Sequence, residues 1–461
     1  MSRLVVVSNR VADPRKTAAG GLAIALGDAL SATGGMWFGW SGAIVEGGVP
    51  GEGKLHTHQA GNVKLATVDL TREDYESYYL GYSNGVLWPV FHYRLDLANF
   101  EAGSIGGYRR VNQMFARQLM ALLRPDDVIW VHDYHLIPLA AELRALGCQQ
   151  RIGFFLHIPL PPQPIVAAIP QHEWLMRTLF SYDLVGFQSE ADLLHFSRYA
   201  EAEAGAEVID AHHFQAFGRT VRAGAFPIGI DVDEFAALTH AKEGNDMYER
   251  IKSEYSRRKL LLGVERLDYS KGLPQRLRAF KALLKKYPEN LKSATLIQIA
   301  SPSREDMGTY NDLKQELESL CGAINGDFGE LDWMPVRYIH RNVSRKRLPG
   351  LYRVARVALV TPLRDGMNLV AKEFIAAQDP ADPGVLVLSR FAGAAERLKD
   401  ALLVNPYDTD GTADTIQQAL QMPLAERQMR HQRLLAQIRL EDVHWWRRTF
   451  LQSLAEAPVN A

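Results

Sequence analysis

Short, mainly apolar runs recur along the chain, most of them followed by a stretch with helical spacing. The runs are Leu4–Val7, Val128–Val131, Ile152–Leu156, Leu184–Phe187, Leu260–Val264, Leu296–Ala300, Val336–Ile339, Val357–Val360 and Val385–Leu388. Such runs fill strands buried on both faces, as in parallel sheets. Helical periodicity predicts helices over Leu22–Leu30, Tyr108–Leu123, Glu190–Tyr199, Pro274–Lys285, from Leu369 to about Gln378, and over 424–439, with a last aromatic helix carrying Trp445 and Trp446. Only Asn62–Val68 alternates, which predicts antiparallel or edge strands. The strand–helix rhythm breaks at Phe226–Asp231, turns polar through 240–258, and then restarts. The pattern therefore predicts an α/β protein with two doubly wound, Rossmann-like halves, 1–230 and 231–440, followed by a C-terminal helical segment, 441–461.

Polar residues gather where the predicted strands end. Arg10 closes the first strand, Asp133 and His157 follow two others, and Arg266, Lys271 and Arg304 follow strands of the second half. Open α/β sheets bind ligands at the carboxyl ends of their strands. The stretch 357–373 condenses the argument. Its apolar strand stops at Thr361-Pro362, Asp365-Gly366 turns the chain, and Asn368 caps the next helix, whose free N–H groups form an anion site. Gly20-Gly21 stands ahead of a predicted helix and would allow close approach of a ligand. The G-x-G-x-x-G spacing is absent, which argues against a dinucleotide oxidoreductase. Cations on the rims of both halves predict an anionic ligand between them.

Other features read as structural. Trp37, Trp40, Tyr78, Tyr79, Tyr82 and Trp88 suit a core better than a sugar platform. Asp231-Val-Asp233 spells D-x-D but lies in the presumed linker. His132, Asp133 and His135 lack a third nitrogen or sulfur ligand at metal spacing, so no metal and no cofactor are expected.

Composition narrows the class. In 461 residues, 47% are hydrophobic and the formal net charge is −1, with pI about 6.9. No general nucleic-acid or acidic-membrane surface is expected. Two distant cysteines, Cys148 and Cys321, suit a reducing compartment. The N-terminal apolar run reads as a strand rather than a leader, and no run approaches the roughly 18 residues of a membrane span. The expected location is cytoplasmic.

The motifs together resemble the trehalose-6-phosphate synthase family, retaining glycosyltransferases of the GT-B fold. The resemblance runs through Val-Val-Ser-Asn-Arg10, Gly20-Gly21-Leu, Trp37-Phe-Gly-Trp-Ser-Gly42, Leu87-Trp88-Pro-Val-Phe-His-Tyr93 and Trp130-Val-His-Asp-Tyr-His-Leu136. It continues with Gly153-Phe-Phe-Leu-His157-Ile-Pro, Val264-Glu-Arg-Leu-Asp-Tyr-Ser-Lys-Gly-Leu273 and Thr361-Pro-Leu-Arg-Asp-Gly-Met-Asn-Leu-Val-Ala-Lys-Glu373. It implies two Rossmann-like domains facing each other across a cleft. The first would bind the acceptor, the second the nucleotide sugar, and 441–461 would pack back on the first.

By the same resemblance, glucose 6-phosphate is held by Arg10, Tyr79, Trp88, Asp133 and Arg304, with the two arginines on its phosphate. The donor is held by Gly20, Gly21, His157, Arg266, Lys271, Val343 and Asp365, and by the run Gly366, Met367, Asn368, Leu369, Val370, Ala371, Lys372 and Glu373. Glu373 would take the ribose and Val343 the base, while Lys372 is expected to be a solvated neighbour. His157, Asp133, Arg266, Lys271 and Asp365 form the implied catalytic set. The implied reaction joins a nucleotide-glucose, with UDP-glucose ahead of the GDP and ADP forms, to the anomeric hydroxyl of glucose 6-phosphate. The implied partners are these small molecules and further copies of the chain, as a dimer or tetramer. Rival readings are a relative using another phosphorylated acceptor, such as glycerol 3-phosphate, a pseudo-glycosyltransferase, and a silent regulatory homologue. One block departs from the family: after His157-Ile-Pro159 stands Leu160-Pro161-Pro162-Gln163-Pro164 in place of Phe-Pro, a small hydroxyl residue and a nearby glutamate.

Overall fold

The computed structural model describes residues 2–12, 26, 27, 30, 34–100, 103–304 and 308–458. These form two units, Met1–Pro227 with Trp446–Ala461, and Ile228–Trp445. Among the described residues the first unit is built on a ten-stranded sheet and the second on a six-stranded one.

In the first unit the central strands are β1 (Leu4–Arg10), β2 (Gly35–Val45), β4 (Val63–Thr71), β5 (Val128–His132), β6 (Arg151–Phe155), β7 (Leu184–Phe187) and β10 (Arg219–Ala225). All pair in parallel, in the order β4-β2-β1-β5-β6-β7-β10. Antiparallel strands finish both edges: β3 (Leu55–Ala60) on β4, and β9 (His213–Ala216) with β8 (Glu207–Val208) on β10. The alternating stretch is therefore not an edge; it is an inner strand, antiparallel to β3 and parallel to β2. β3 is the strand that faces water, with four exposed residues in six.

Burial explains the apolar runs. β5, β6 and β7 are buried from end to end apart from their first residues in β5 and β6. On one face, Gly153 of β6 and Gly186 of β7 leave room for the ring of Phe450, on the helix Val443–Glu456; a Cβ on either would lie within 2.9 Å of that ring. Phe450 stacks on Trp130 at 4.7 Å, and Trp446 meets Phe155 edge-on at 5.2 Å.

The second unit is wholly parallel: β13 (Val336–Ile339), β12 (Ala294–Ser301), β11 (Lys259–Arg266), β14 (Val357–Val360), β15 (Val385–Ser389) and β16 (Leu402–Val404), in that spatial order. Chain order reverses direction between β11 and β14. In the first unit it reverses between β1 and β5. In such sheets, helices after the two central strands leave on opposite faces and open a crevice at their carboxyl ends. Each unit therefore has one topological switch point: Arg10 and Asp133 lie at the first, Arg266, Lys271 and Asp365 at the second, while His157 and Arg304 follow the neighbouring strands β6 and β12.

Candidate active site

At the first switch point, Arg10 is the last residue of β1 and is exposed. Its guanidinium lies 5.6 Å from the Trp40 ring centre. Gly42 supplies the rest of its seat: with φ +89°, a Cβ there would stand 2.5 Å from Arg10 Nη2. The Trp40-Ser41-Gly42 stretch of β2 is thus a cradle for one cation. From Trp40 a row of rings leads away: Tyr79 at 5.7 Å, then His135 stacked on Tyr79 at 5.9 Å, then Tyr134, then Trp88 at 5.7 Å from Tyr134. Tyr79 is half-buried, whereas Tyr78, Tyr82 and Trp88 belong to the core. The core reading holds for those three and fails for Tyr79, which presents part of its ring. Tyr75–Leu87 coils as a wide π-type helix, which no periodicity in the sequence announces.

Asp133 follows β5 with φ 76° and ψ 165°, a conformation costly for a residue with a Cβ. Its Oδ1 accepts from the His157 backbone N–H at 3.2 Å, so the loops after β5 and β6 are tied together. His157 is flanked through its ring: Nε2 lies 3.0 Å from His132 Nδ1, and Nδ1 lies 3.3 Å from Gln188 Nε2. Burial holds His157 neutral, with its pKa lowered to about 3. Burial, then the neighbouring His157, holds His132 well below the usual range.

At the second switch point the chemistry changes from rings to charges. Lys271 Nζ and Asp365 Oδ2 are 2.6 Å apart, both largely buried. Asn368 Nδ2 donates to the same oxygen at 3.0 Å. Asn368, at φ 78°, also caps the helix Leu369–Ala377 by accepting from Ala371 N–H. Gly272 makes the cluster possible: at φ +65° its missing Cβ would collide with Thr361 O, so the loop after β11 can lie against the end of β14. Leu363 N–H donates to Ser270 O at 2.7 Å and locks that approach. Arg266 ends β11 exposed.

Beneath this rim lies a residue that the sequence reading passed over. Arg276, on the helix Leu273–Lys286, is fully buried and bonds Glu265, Gln298 and Thr361 at 3.0–3.1 Å. It knits the ends of β11 and β14 to the middle of β12. Gly263 was the available signal, since a glycine inside a strand marks a close approach; a Cβ there would strike the Arg276 guanidinium.

Arg304, at φ 50°, is held by Asp268 at 3.3 Å and by the Tyr310 hydroxyl at 2.6 Å. Among the described residues six non-glycines have positive φ, and three of them, Asp133, Arg304 and Asn368, are predicted site residues. Strain of this kind concentrates where geometry serves function. Val343 lines a cavity of about 230 Å³ with Ile297, Ile299, Ile339 and Leu351. Gly366 and Met367 are buried, and Gly393 packs on Gly366 O so closely that a Cβ would collide. Leu369 and Val370 are half-buried at the helix start.

Glu373 is half-buried beside the Tyr352 hydroxyl, and burial pushes its pKa up to about 7. Lys372 is not solvated. It is buried, its Nζ donates to Ile228 O at 2.7 Å, and burial lowers its pKa to about 8. The reason is helix phase: Lys372 lies on the face of its helix turned inward, one position from Glu373. Gly20 and Gly21 lie outside the described residues. The linker reading of Asp231 agrees with its place: it caps the helix Val232–His240 and meets His444 Nε2 at 3.1 Å. Asp233 pairs only with exposed Arg439 among the described residues. The departing segment Leu160–Pro164 is pinned to the helix Glu190–Ala202, with Leu160 N–H on Asp192 at 2.9 Å and Leu160 O on His195 at 2.7 Å.

Known proteins share the sequence and the fold over nearly the whole chain. The chain is 49% identical over 458 residues to a trehalose-6-phosphate synthase of Sinorhizobium fredii, covering 98% of each. It superposes with TM-score 0.95 on an α,α-trehalose-phosphate synthase (UDP-forming) from Burkholderia xenovorans in complex with glucose-6-phosphate; the two are 50% identical, over 98% of this chain and 100% of that one. A structure described as trehalose-6-phosphate from E. coli, bound with UDP-2-fluoro glucose, matches at TM-score 0.94 and 46% identity over the whole of both chains. The model of glycosyltransferase family 20 matches residues 5–456. With two switch-point rims, a GT-B architecture and near-complete coverage by that model, this chain belongs to glycosyltransferase family 20.

Proposed function

We propose that the chain transfers glucose from UDP-glucose to the anomeric hydroxyl of glucose 6-phosphate with retention, releasing UDP and α,α-trehalose 6-phosphate. The observation that carries this reading is the second switch point. Lys271, Asp365 and Asn368 converge on a helix N-terminus beside exposed Arg266. Relatives of about half-identical sequence bind glucose-6-phosphate in one case and UDP-2-fluoro glucose in another.

The roles follow from chemistry. As the glycosidic bond to UDP breaks, negative charge grows on the leaving oxygen; Arg266, Lys271 and the helix N-terminus stabilise it. Lys271 has three N–H donors, so one can stay on Asp365 while others reach phosphate. Asp365 Oδ2 takes Lys271 and Asn368, which leaves Oδ1 for a glucose hydroxyl. Glu373 as carboxylate accepts the ribose hydroxyls, and the Val343 cavity takes the uracil. Lys372 serves through its backbone, because its ammonium is committed to Ile228 O. On the first unit Arg10 takes the acceptor phosphate, joined by Arg304, while Tyr79, Trp88 and Asp133 shape the sugar pocket. The departing diphosphate accepts the acceptor's proton in a front-face attack, with no metal. A glucosyl-enzyme trapped on Asp133 or Asp365 would refute that path.

Within the same reading the protein works in the cytoplasm as a homo-oligomer. Both cysteines are buried and unbridged, and no described helix is long and apolar enough to cross a membrane. Nucleoside diphosphate release should be measured with UDP-, GDP- and ADP-glucose against glucose 6-phosphate, glucose and glycerol 3-phosphate. Fastest release with UDP-glucose and glucose 6-phosphate is expected. Preference for glycerol 3-phosphate would overturn the acceptor assignment.

A further inference from the structure

Behind His157 stands a second imidazole that the reaction as described does not use. His132, the last residue of β5, is fully buried, with its Nδ1 3.0 Å from His157 Nε2. Its own Nε2 is buried and has no polar partner among the described residues. The rings around it are aromatic: Trp130 at 4.6 Å, His157 at 5.3 Å, Trp446 at 6.2 Å and Phe155 at 6.5 Å. On the far side of His157, Gln188 Nε2 lies 3.3 Å from Nδ1.

These contacts specify where the protons sit. A neutral imidazole has one N–H donor and one acceptor nitrogen. The Gln188 amide donates to His157 Nδ1, so that nitrogen is the acceptor and Nε2 bears the hydrogen. His157 Nε2–H then donates to His132 Nδ1, which leaves His132 protonated at Nε2. That last N–H lies among the Trp130, Trp446 and Phe155 rings, where an N–H near a ring is weakly favourable. The Gln188 end sets the direction of the chain.

We propose that His132 is a positioning residue: by taking Nε2–H while Gln188 occupies Nδ1, it holds the His157 ring in one tautomer and one orientation. The inference rests on the placement of His157 beside donor glucose. It excludes His157 as a proton donor from Nδ1, and it gives the aromatic box beneath β5 a functional reason. Trp446, from the returning C-terminal helix, is one wall of that box.

The test is nitrogen NMR of the full-length protein labelled with 15N-histidine, which reads the protonated ring nitrogen directly. Native His157 should show Nε2 protonated. In His132→Phe the acceptor is lost while an aromatic ring remains, and the Nδ1–H form should appear, with the Gln188 amide turned so that its oxygen accepts. His132→Asn keeps an acceptor at the Nδ1 position and should keep the native tautomer. Donor kcat/KM should fall about three- to tenfold in His132→Phe, from the net worth of one hydrogen bond, and within about twofold for His132→Asn. Glucose 6-phosphate KM should move in neither. Gln188→Glu offers a second route, because a carboxylate beside Nδ1 should draw the proton there with His132 intact. Native His157 protonated at Nδ1 would overturn the proposal, as would an unchanged tautomer in His132→Phe. A changed tautomer with unchanged donor kinetics would uphold the tautomer control and instead displace His157 from the donor sugar.

Discussion

The two switch points share a topology and differ in what holds them. The first is built from packing: Arg10 rests on Trp40 and Gly42, Tyr79 leans between His135 and Tyr75, and Asp133 is set by a strained backbone. The second is built from charge: Lys271, Asp365 and Asn368 share one carboxylate oxygen, over a buried Arg276–Glu265 pair at 3.1 Å. A sugar presents flat apolar faces and modest dipoles, which aromatic rings and a few exact hydrogen bonds can hold. A diphosphate leaving group presents charge that increases during reaction, which fixed cations and helix N–H groups stabilise. Under the proposed reaction, one sheet topology would serve two chemistries through different residues at its strand ends.

The contrast is most sharply tested at Lys271. Lys271→Ala removes the cation that the proposed reaction places on the leaving group, and strands Asp365 in a largely buried place. kcat should fall about 10²–10³-fold, with glucose 6-phosphate KM little changed in steady-state assays. A loss confined to acceptor KM would assign Lys271 to the wrong substrate.

Arg304→Ala comes next. One charge-assisted hydrogen bond is worth about 1.5–3 kcal/mol, so efficiency with glucose 6-phosphate should drop roughly ten- to 150-fold. Unphosphorylated glucose should lose much less. Equal losses for both acceptors would remove Arg304 from the phosphate site and leave it a partner of Asp268.

A smaller effect is expected at Gly42→Ala, where the added methyl pushes on the Arg10 guanidinium. Glucose 6-phosphate KM should rise about three- to tenfold, while donor KM stays. If donor KM rises in parallel, the cradle serves the fold rather than the acceptor.

Glu373 supplies a pH test of the charged rim. Its pKa near 7 is raised by burial, so acid protonates it and removes the charge that ribose hydroxyls would meet. Donor KM should therefore increase by a few-fold as pH falls from 8 to 6, and Glu373→Gln should flatten that dependence. The smallest effect should come from EDTA: activity is expected to persist, and a metal-reversible loss would return Asp231 and Asp233 as ligands.

Much of this was legible in residue order. The run Val357–Val360, the stop at Thr361-Pro362 and the Asn368 cap predict β14 and the helix Leu369–Ala377 to within a residue. Apolar periodicity and proline chemistry are local, so they survive without knowledge of the rest of the chain. Polarity at strand ends was equally local: Arg10, Asp133, His157, Arg266 and Lys271 could be named from their offsets.

What lay beyond the sequence depended on partners distant in the chain. Lys372 is one residue from Glu373, and only the seat of its helix makes one ammonium a buried anchor for Ile228 O while its neighbour remains half-buried. Arg276 reads as an ordinary helix cation until three strands converge on it. His132 reads as a strand end until β6 and the last helix bring His157 and Trp446 beside it. Composition, strands, helices and the identity of the rim residues were determined by the sequence itself, because each follows from neighbours within a few positions. Which side chains are buried, which proton sits on which nitrogen, and which glycine makes room for which cation were decided only by tertiary structure. Those properties depend on desolvation and on contacts between segments tens to hundreds of residues apart.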